Sequence, residues 1–247
     1  MQPITSYSAS NDKLRLLLQG PSGAGKTTVA CQFPKPYIID IDINLGGTLR
    51  FLKENGLALP VGFDVLDKND KGEEVPLKQR YLRLNDCLKA AQIDPNVETI
   101  VLDSGTTLAD VLINEVLRQQ GKNAITDFKD GRQFWGFFGN LGRAFLAILT
   151  QMRKHIVLIV HEKILTTADG SVVYPVKVAW PGQVGQNLGI FFTNVWRCEV
   201  QSVVGGQYKW LIRTMPEYRY ELKNTLGLPP TFEFKWETIQ EKLDVIK

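Results

Sequence analysis

Short apolar runs alternate with stretches of helical spacing along the first two thirds of the chain. Four apolar runs predict buried strands, at residues 14–20, 37–42, 99–104 and 155–162. Amphipathic spacing predicts helices between them, at residues 27–33, 48–54, 77–92, 107–120 and 134–153. Strands that alternate with helices are typical of a mainly parallel sheet with helices on both faces. We therefore predict an α/β fold.

The pattern changes after the fourth predicted strand. Two β-like runs flank the tight-turn dipeptide Asp169-Gly170 within residues 163–180, which predicts a hairpin. A helical stretch at residues 183–194 leads to a second predicted hairpin around Gly205-Gly206. The strands of that second hairpin would extend the sheet in an antiparallel direction.

The two ends of the chain differ in character. Residues 1–12 are polar and aperiodic, so we predict a flexible N-terminal tail there. Residues 236–246 predict a short amphipathic helix. Because no internal repeat or linker divides the rest, residues 13–247 are predicted to form one domain.

Composition excludes several classes of protein. The 247 residues include 29 Lys and Arg against 26 Asp and Glu, with 44% apolar and 22% charged residues, which excludes a disordered chain or a polycation. Cys31, Cys87 and Cys198 lie far apart, which argues against a disulfide framework or a zinc knuckle. No apolar run approaches the ~18 residues of a membrane span. We therefore expect a cytoplasmic protein with no membrane partner.

The strongest motif lies between the first predicted strand and the helix that follows it. GPSGAGKT, residues 20–27, matches G-x-x-x-x-G-K-[ST] in the context that a P-loop requires. In such a loop backbone N–H groups bind phosphate oxygens, the lysine reaches the β- and γ-phosphates, and the hydroxyl holds Mg²⁺. The sequence therefore predicts a nucleoside triphosphate site. Its predicted phosphate-binding residues are Gly20, Pro21, Ser22, Gly23, Ala24, Gly25, Lys26, Thr27 and Thr28.

Acidic residues close the second and third predicted strands. Asp103 stands where a P-loop protein needs a second carboxylate for Mg²⁺ beside Thr27, although an Asp there also suits capping of the next helix. Asp40 and Asp42 are two residues apart, so alternation along a strand would put both side chains on one face. Either one would activate water beside the γ-phosphate; helix capping or solvent exposure is the structural alternative. Asp42 lies farther toward the ligand end and is the better candidate for the base.

The only two histidines mark the two ends of the fourth predicted strand. His161 follows its apolar run at the ligand-facing end, where a polar group can contact the γ-phosphate or the attacking water. A surface histidine at a strand end is the alternative. Because His155 lies at the opposite end, a histidine metal site is not predicted.

Basic and aromatic residues cluster in two segments, at residues 128–138 and 213–224. In the first, the aromatic residues recur at helical spacing, which favours core packing over a surface that stacks nucleic acid bases. In the second, Arg219 and Lys223 are four residues apart after a strand. They would reach a phosphate at a neighbouring subunit, or else belong to a solvated turn; Pro216 favours a projecting turn.

Taken in order, these motifs give the chain a family resemblance. GPSGAGKTT, YIIDIDINLGG, TIVLDSGTTLAD and IVLIVHEK resemble the successive motifs of RecA-like ATPases. Together with WPGQVGQNLGIFFTNVWRCE and RTMPEYRYELKNTLGLPP, they make the chain similar to the small phage nucleotide-binding proteins, RecA-like ATPases implicated in single-strand annealing. The resemblance implies one RecA-like ATPase domain over residues 13–247.

The resemblance also implies roles for individual residues. Asp42 would stand where RecA-like enzymes carry a catalytic glutamate, Asp103 at the acid linked to Mg²⁺, and His161 at a polar sensor. Arg219 and Lys223 would fall near the cationic finger that one subunit offers to the next. An Asp is one methylene shorter than a Glu, which bears on the rate of hydrolysis.

The expected function is that of an ATP-binding, Mg²⁺-dependent ATPase that assembles as a ring or filament on single-stranded DNA. It would promote annealing or strand exchange in phage recombination, in the host cytoplasm, with a single-strand-binding protein as a candidate partner. The hairpin at residues 163–180 would replace a DNA-binding loop, yet it carries only Lys163 and Lys177 as cations. Two alternatives stay open: a nucleotide kinase-like phosphotransferase, and an accessory factor for phage replication or packaging.

Overall fold

A computed structural model describes residues 13–203 and 207–244 of the chain. Its strands are β1 Arg15–Gly20, β2 Pro36–Asp40, β3 Gly62–Val65, β4 Thr99–Asp103, β5 His155–Thr166, β6 Val172–Val178, β7 Asn194–Val203, β8 Gln207–Arg213 and β9 Thr231–Glu233. Its α-helices are α1 Lys26–Ala30, α2 Leu45–Glu54, α3 Arg80–Ile93, α4 Gly105–Gln119, α5 Gly131–Gln151, α6 Gly182–Gln186 and α7 Trp236–Asp244. The predicted tail at residues 1–12 and the predicted turn at Gly205-Gly206 lie outside the described residues.

The strands form one sheet in the order β3-β2-β4-β5-β1-β7-β8-β9. The first six of these strands run parallel, because every pair from β3 to β7 is parallel. β8 and β9 continue the sheet in an antiparallel direction, and β6 pairs antiparallel with the outer part of β5. The prediction of a mainly parallel sheet with C-terminal antiparallel strands is confirmed.

Helices cover both faces of the sheet, and the strand sequences explain why. Successive residues of β1 alternate between two hydrophobic clusters: Leu17 packs in one, Leu16 and Leu18 in the other. The first cluster includes residues of α3, α4 and α5, and the second includes residues of α1, α2 and α7. A strand that is buried on both faces needs apolar residues at every position, hence the unbroken apolar runs.

Several predicted boundaries are wrong. β3 lies between the helices predicted at residues 48–54 and 77–92 and was not predicted, because a four-residue strand carrying Gly62 and Asp64 gives no apolar pattern. The helix predicted at residues 183–194 is only α6 and a short 3₁₀ turn, and residue 194 already belongs to β7. A Cβ at Gly185 would overlap the carbonyl oxygen of Trp180, so a local backbone contact that apolar spacing does not show constrains this connection.

The aromatic cluster at residues 128–138 packs mainly into the core. Phe134 and Phe138 are buried on α5, as the helical spacing predicted, whereas Trp135 on the same turn is exposed. No helix within residues 13–203 and 207–244 has the length and apolar character to cross a membrane.

Candidate functional site

The glycine-rich loop turns from the end of β1 into the start of α1. Gly23 and Gly25 have φ angles of 77° and 79°, a left-handed conformation that glycine adopts without strain. A Cβ at Gly25 would also overlap the indole ring of Trp210 on β8. The loop therefore needs glycine at this position both for its backbone conformation and for its contact with a distant strand.

Lys26 is held beneath this loop. Its side chain is buried, and its Nζ donates hydrogen bonds to the carbonyl oxygens of Gly20 at 3.0 Å and Pro21 at 2.8 Å. Burial lowers the pKa of Lys26 from its ordinary value, while nearby acidic groups, Asp103 among them, act to raise it. The ammonium group is thus fixed at the loop before any ligand arrives, which reduces the entropy lost on binding.

Thr27 and Asp103 meet across α1 and β4. The Thr27 hydroxyl donates to Oδ2 of Asp103 at 2.6 Å. Burial raises the pKa of Asp103 to about 6, and the hydrogen bond from Thr27 opposes that rise. A hydroxyl and a carboxylate oxygen at this spacing are hard donors of the kind that Mg²⁺ takes in P-loop proteins. The donor set fits Mg²⁺, and the Asp103 side chain contacts Thr27 rather than capping α4.

Asp40 and Asp42 make separate sets of contacts, so the prediction that they share a face is wrong. β2 ends at Asp40, and the positive φ of 60° at Ile43 turns the chain, so strand alternation does not extend to Asp42. The Asp40 carboxylate accepts hydrogen bonds from the backbone N–H groups of Asn44 at 3.2 Å and Leu45 at 3.0 Å. Asp40 therefore holds the start of α2, as the capping alternative proposed.

Asp42 faces β4, α4 and β5 instead. Its carboxylate accepts hydrogen bonds from the hydroxyl of Ser104 at 3.1 Å and from the hydroxyl of Thr107. Burial acts to raise the pKa of Asp42, but hydrogen bonds from His161, Thr107 and Ser104 outweigh it and leave the pKa below its ordinary value. Asp42 is consequently a carboxylate near neutral pH, the charge state that a general base requires.

His161 lies between the two charged partners. Its Nδ1 is 3.4 Å from the Nζ of Lys26, and its Nε2 is 3.7 Å from Oδ2 of Asp42. Its backbone N–H donates to the hydroxyl of Thr106 on α4 at 3.2 Å. The structure thus brings together the predicted lysine, base, metal-side acid and sensor at the carboxyl ends of β1, β2, β4 and β5.

Arg219 and Lys223 stand apart from this group in the described chain. Arg219 is exposed, and its Nε donates to the hydroxyl of Tyr218 at 2.6 Å. Lys223 donates from Nζ to the carbonyl oxygen of Phe192 at 2.8 Å, and its backbone pairs with Val195. The segment is therefore anchored to β7 on one side and contributes nothing to its own chain's P-loop contacts.

A cavity of about 400 Å³ opens over the loop. Phe51 on α2 and Trp210 on β8 line it, with ring centroids 5.4 Å apart and an edge-to-face interplanar angle of 70°. Sequence reasoning missed both aromatic residues, because each reaches the cavity from an element with no motif of its own. The remaining lining residues are Ser22, Gly23, Gly25, Lys26, Thr27, Thr28, Asn44, Gly47, Thr48, Asp103 and His161.

The oxygen atoms that would hold Mg²⁺ at this site are those of the Thr27 hydroxyl and the Asp103 carboxylate. Among residues 13–203 and 207–244, no group of three or more His, Cys, Asp or Glu side chains has the arrangement of a metal centre. Cys31, Cys87 and Cys198 are buried free thiols. Burial raises the pKa of each of these thiols to about 12.

Comparison with known proteins gives a family. The family model described as AAA domain matches residues 12–226, which is most of the chain. No curated protein sequence matches closely enough to count as a relative.

Two solved structures are similar in part. A KaiC-like protein from Pyrococcus horikoshii OT3 is 17% identical, with a TM-score of 0.43 over 85% of this chain and 83% of that one. The flagellar accessory protein FlaH from Methanocaldococcus jannaschii is 13% identical, with a TM-score of 0.31 over 85% of this chain and 88% of that one. At these values the likenesses support no argument about the site.

Proposed function

The chain belongs to the AAA domain family. We propose that it binds ATP with Mg²⁺ and hydrolyses it and, on its sequence resemblance alone, that it works as an oligomer on single-stranded DNA. The single observation that carries the proposal is the contact set of the P-loop: Lys26 on two loop carbonyls, and Thr27 on Asp103. These residues are the parts that P-loop NTPases use to hold the phosphates and the metal.

Triphosphate binding follows from the loop geometry. Backbone N–H groups of residues 22–27 and the N-terminus of α1 offer donors and partial positive charge to phosphate oxygens. Lys26 adds a full charge near the γ-phosphate, and Thr27 and Asp103 would hold Mg²⁺. When bound, Mg²⁺ neutralises negative charge on the phosphate oxygens.

The base of the nucleotide has an aromatic contact. Phe51 and Trp210 line the cavity beside each other, and stacking on an aromatic side chain contributes about 1–3 kcal/mol per base. Because stacking does not depend on the donor pattern of the base, this pair favours nucleotides in general. The indole of Trp210 also offers a fluorescence signal that binding would change.

Hydrolysis is assigned to Asp42 and His161. Asp42 would accept a proton from the attacking water, and the hydroxyls of Ser104 and Thr107 orient its carboxylate. His161 contacts both Lys26 and Asp42, so it would respond to a γ-phosphate that displaces either contact. A positioned general base contributes typically about 10²–10⁴-fold to a rate.

Single-stranded DNA has a candidate surface beside the β5–β6 hairpin. Tyr174 and Tyr218 are exposed, their ring centroids are 5.5 Å apart, and Arg219 lies 5.2 Å from the Tyr218 ring and 5.9 Å from the Tyr174 ring. Aromatic rings with an adjacent cation are the elements that bind unpaired bases. Of the two hairpin lysines, Lys177 already pairs with Glu221 at 2.6 Å, so phosphate contacts are few.

The remaining parts of the proposal rest on the sequence resemblance. We place the activity in annealing or strand exchange during phage recombination, within the bacterial host cytoplasm. A single-strand-binding protein is the expected partner. Ring and filament are both compatible with ATP held between subunits.

One experiment tests the proposal as a whole: ATP hydrolysis with and without single-stranded DNA, alongside the mass of the assembly by light scattering. We expect DNA to stimulate hydrolysis and to increase the mass. The Tyr174→Ala/Tyr218→Ala variant should lose the stimulation, whereas Trp135→Ala, another exposed aromatic residue outside this surface, should keep it.

Two outcomes would count against the proposal. If single-stranded DNA does not change the rate of hydrolysis and the protein stays monomeric, the proposed DNA binding and oligomerisation are wrong. Transfer of phosphate to a nucleoside monophosphate would establish a phosphotransferase instead.

A further inference from the structure

A second concave surface lies away from the nucleotide cavity, between α2 and β3. This groove has a volume of about 380 Å³. Its lining residues are Leu49, Arg50, Lys53, Leu59, Pro60 and Phe63. None of them lines the nucleotide cavity, so the groove is a separate feature of the surface.

The groove exposes large apolar side chains at an open sheet edge. Leu59 and Phe63 of the groove are 51% and 50% exposed, and Val61, which lies between them in the sequence, is 50% exposed. β3 pairs with β2 on one side, and no other strand of the described chain pairs with its other side. Clustered apolar exposure next to unpaired backbone groups marks a surface that gains free energy when another chain covers it.

The charges at the groove have one sign. Arg50 and Lys53 are exposed on α2, and neither forms an ion pair or a side-chain hydrogen bond with any residue that the structure describes. No carboxylate is among the lining residues. An occupant with negative charge would therefore meet two cations that have no competing partner.

We propose that this groove docks an acidic, extended segment of a partner protein. One aliphatic or aromatic side chain of the segment fills the apolar floor beside Phe63, and its carboxylates pair with Arg50 and Lys53. The main chain of the segment runs along the free edge of β3 and pairs with its backbone groups. A nucleic acid fits less well, because two cations around an apolar floor neutralise few phosphates.

The proposal is tested with two fluorescein-labelled synthetic peptides and fluorescence anisotropy. The probes are Asp-Asp-Glu-Phe-Asp-Leu-Asp-Asp and a matched peptide with Ser in place of Phe and Leu. We expect the first probe to bind with a Kd below about 100 μM. The matched peptide, and a version with Lys in place of every acidic residue, should bind at least tenfold more weakly.

Variants of the protein then locate the binding. Arg50→Glu/Lys53→Glu and, separately, Phe63→Ser should each weaken the first probe at least tenfold. Lys89→Glu/Arg153→Glu, exposed cations elsewhere on the surface, and Ile93→Ser, an exposed apolar residue on α3, should bind it like the wild type. The paired charge reversal lies on the surface, so it stays informative even where Phe63→Ser disturbs β3.

Three results would overturn the proposal. Wild-type protein that does not bind the acidic probe excludes the docking of such segments. Equal affinity in the groove variants and the controls places the binding elsewhere. If the assembly of a groove variant has a lower mass than the wild-type assembly, a second copy of this chain occupies the groove. None of these measurements uses ATP, so they stand apart from the test of the nucleotide site.

Discussion

The two ends of the parallel sheet carry buried and half-buried polar side chains that have different roles. At the amino end, Nδ1 of His155 accepts a hydrogen bond from the backbone N–H of Leu14 at 3.0 Å, and Lys154 donates to the carbonyl oxygens of Asp94 and Val97 at 2.8 Å and 2.6 Å. At the carboxyl end, Lys26 and His161 line a cavity of about 400 Å³.

The two ends differ in whether their polar groups still have hydrogen-bonding capacity free for a ligand. At the amino end, side chains satisfy backbone groups that would otherwise be buried without a partner, so their role is structural. At the carboxyl end, the Asp103 carboxylate accepts one hydrogen bond from the described chain, from Thr27. Its remaining acceptor capacity faces the cavity, where a ligand can use it. Unused acceptor capacity at Asp103, together with the charge of Lys26, which already donates to two loop carbonyls, therefore distinguishes the site from the scaffold.

Replacement of the loop lysine should have the largest effect. Lys26→Ala removes the one side-chain cation that the P-loop directs at the β- and γ-phosphates, so we expect productive ATP binding to be abolished. Isothermal titration calorimetry with ATP and Mg²⁺ measures the loss. Lys35→Ala is the matched control at the opposite end of the sheet, where the lysine pairs with Glu98 at 2.7 Å. If Lys26→Ala binds ATP with wild-type affinity, the P-loop is not the nucleotide site.

The carboxyl end of the sheet, where the cavity opens, also leaves room for a residue from a neighbouring subunit. We expect Arg219→Ala/Lys223→Ala to lower hydrolysis by about 10³–10⁵-fold, the range that arginine fingers contribute. Lys223 already donates to Phe192, so single variants should show most of the loss at Arg219.

A mixing experiment separates action in trans from local damage. The double variant keeps its P-loop, and Lys26→Ala keeps its fingers, so co-assembled subunits should recover activity that neither protein shows alone. Hydrolysis by the mixture, measured against each protein by itself, gives the answer. No recovery despite proven co-assembly, or full activity of the double variant alone, would reduce the segment to a solvated turn.

The two aspartates after β2 allow a comparison within the site. Asp42→Asn should keep ATP affinity and lower kcat by about 10²–10⁴-fold, because an amide does not accept the proton. Asp40→Asn should keep kcat within a few fold and lower stability by about 1 kcal/mol, because an amide has one acceptor oxygen where the carboxylate accepts two hydrogen bonds at the start of α2. Steady-state kinetics and urea unfolding of both variants measure these changes. If Asp40→Asn loses more kcat than Asp42→Asn does, Asp40 rather than Asp42 is the general base.

The sequence predicted those parts of the fold and site that local pattern determines. The P-loop residues 20–27 and the order of the buried strands follow from motif and apolar runs, because each signal is contained in a few neighbouring residues. Asp103 and His161 were predicted in the same way, from their positions at the ends of such runs. Parallel strands bring those ends to one edge without further information.

The rest depends on contacts between distant segments. Trp210 packs on Gly25, although more than half of the chain separates the two residues in sequence. Nothing in the residues around either one indicates the contact. The direction of the Asp42 side chain depends on where β2 stops and on the turn at Ile43, which apolar alternation does not show. The groove beside β3 was missed for a related reason: a four-residue strand is too short to give a pattern.

A pH-dependent effect on stability is expected at the structural histidine of the amino end. Burial, with smaller contributions from the charges of Lys13 and Arg15, lowers the pKa of His155 from 6.5 to about 4. The unfolded chain therefore takes up a proton below about pH 6.5 that the folded chain refuses until about pH 4. Folding stability is fully present above pH 6.5 and falls with decreasing pH between these values, by about 1.4 kcal/mol per pH unit.

His155→Gln tests this linkage, because an amide oxygen still accepts from Leu14 but does not titrate in this range. Urea unfolding of both proteins at pH 7 and pH 5 gives the comparison. The stability of the wild type relative to the variant should fall by about 2 kcal/mol over that interval. Other groups, such as Asp103, titrate equally in both proteins and cancel in the difference. Parallel pH dependence in the two proteins would mean that His155 is charged in the folded state, and the amino end would then resemble the site more than its hydrogen bonds indicate.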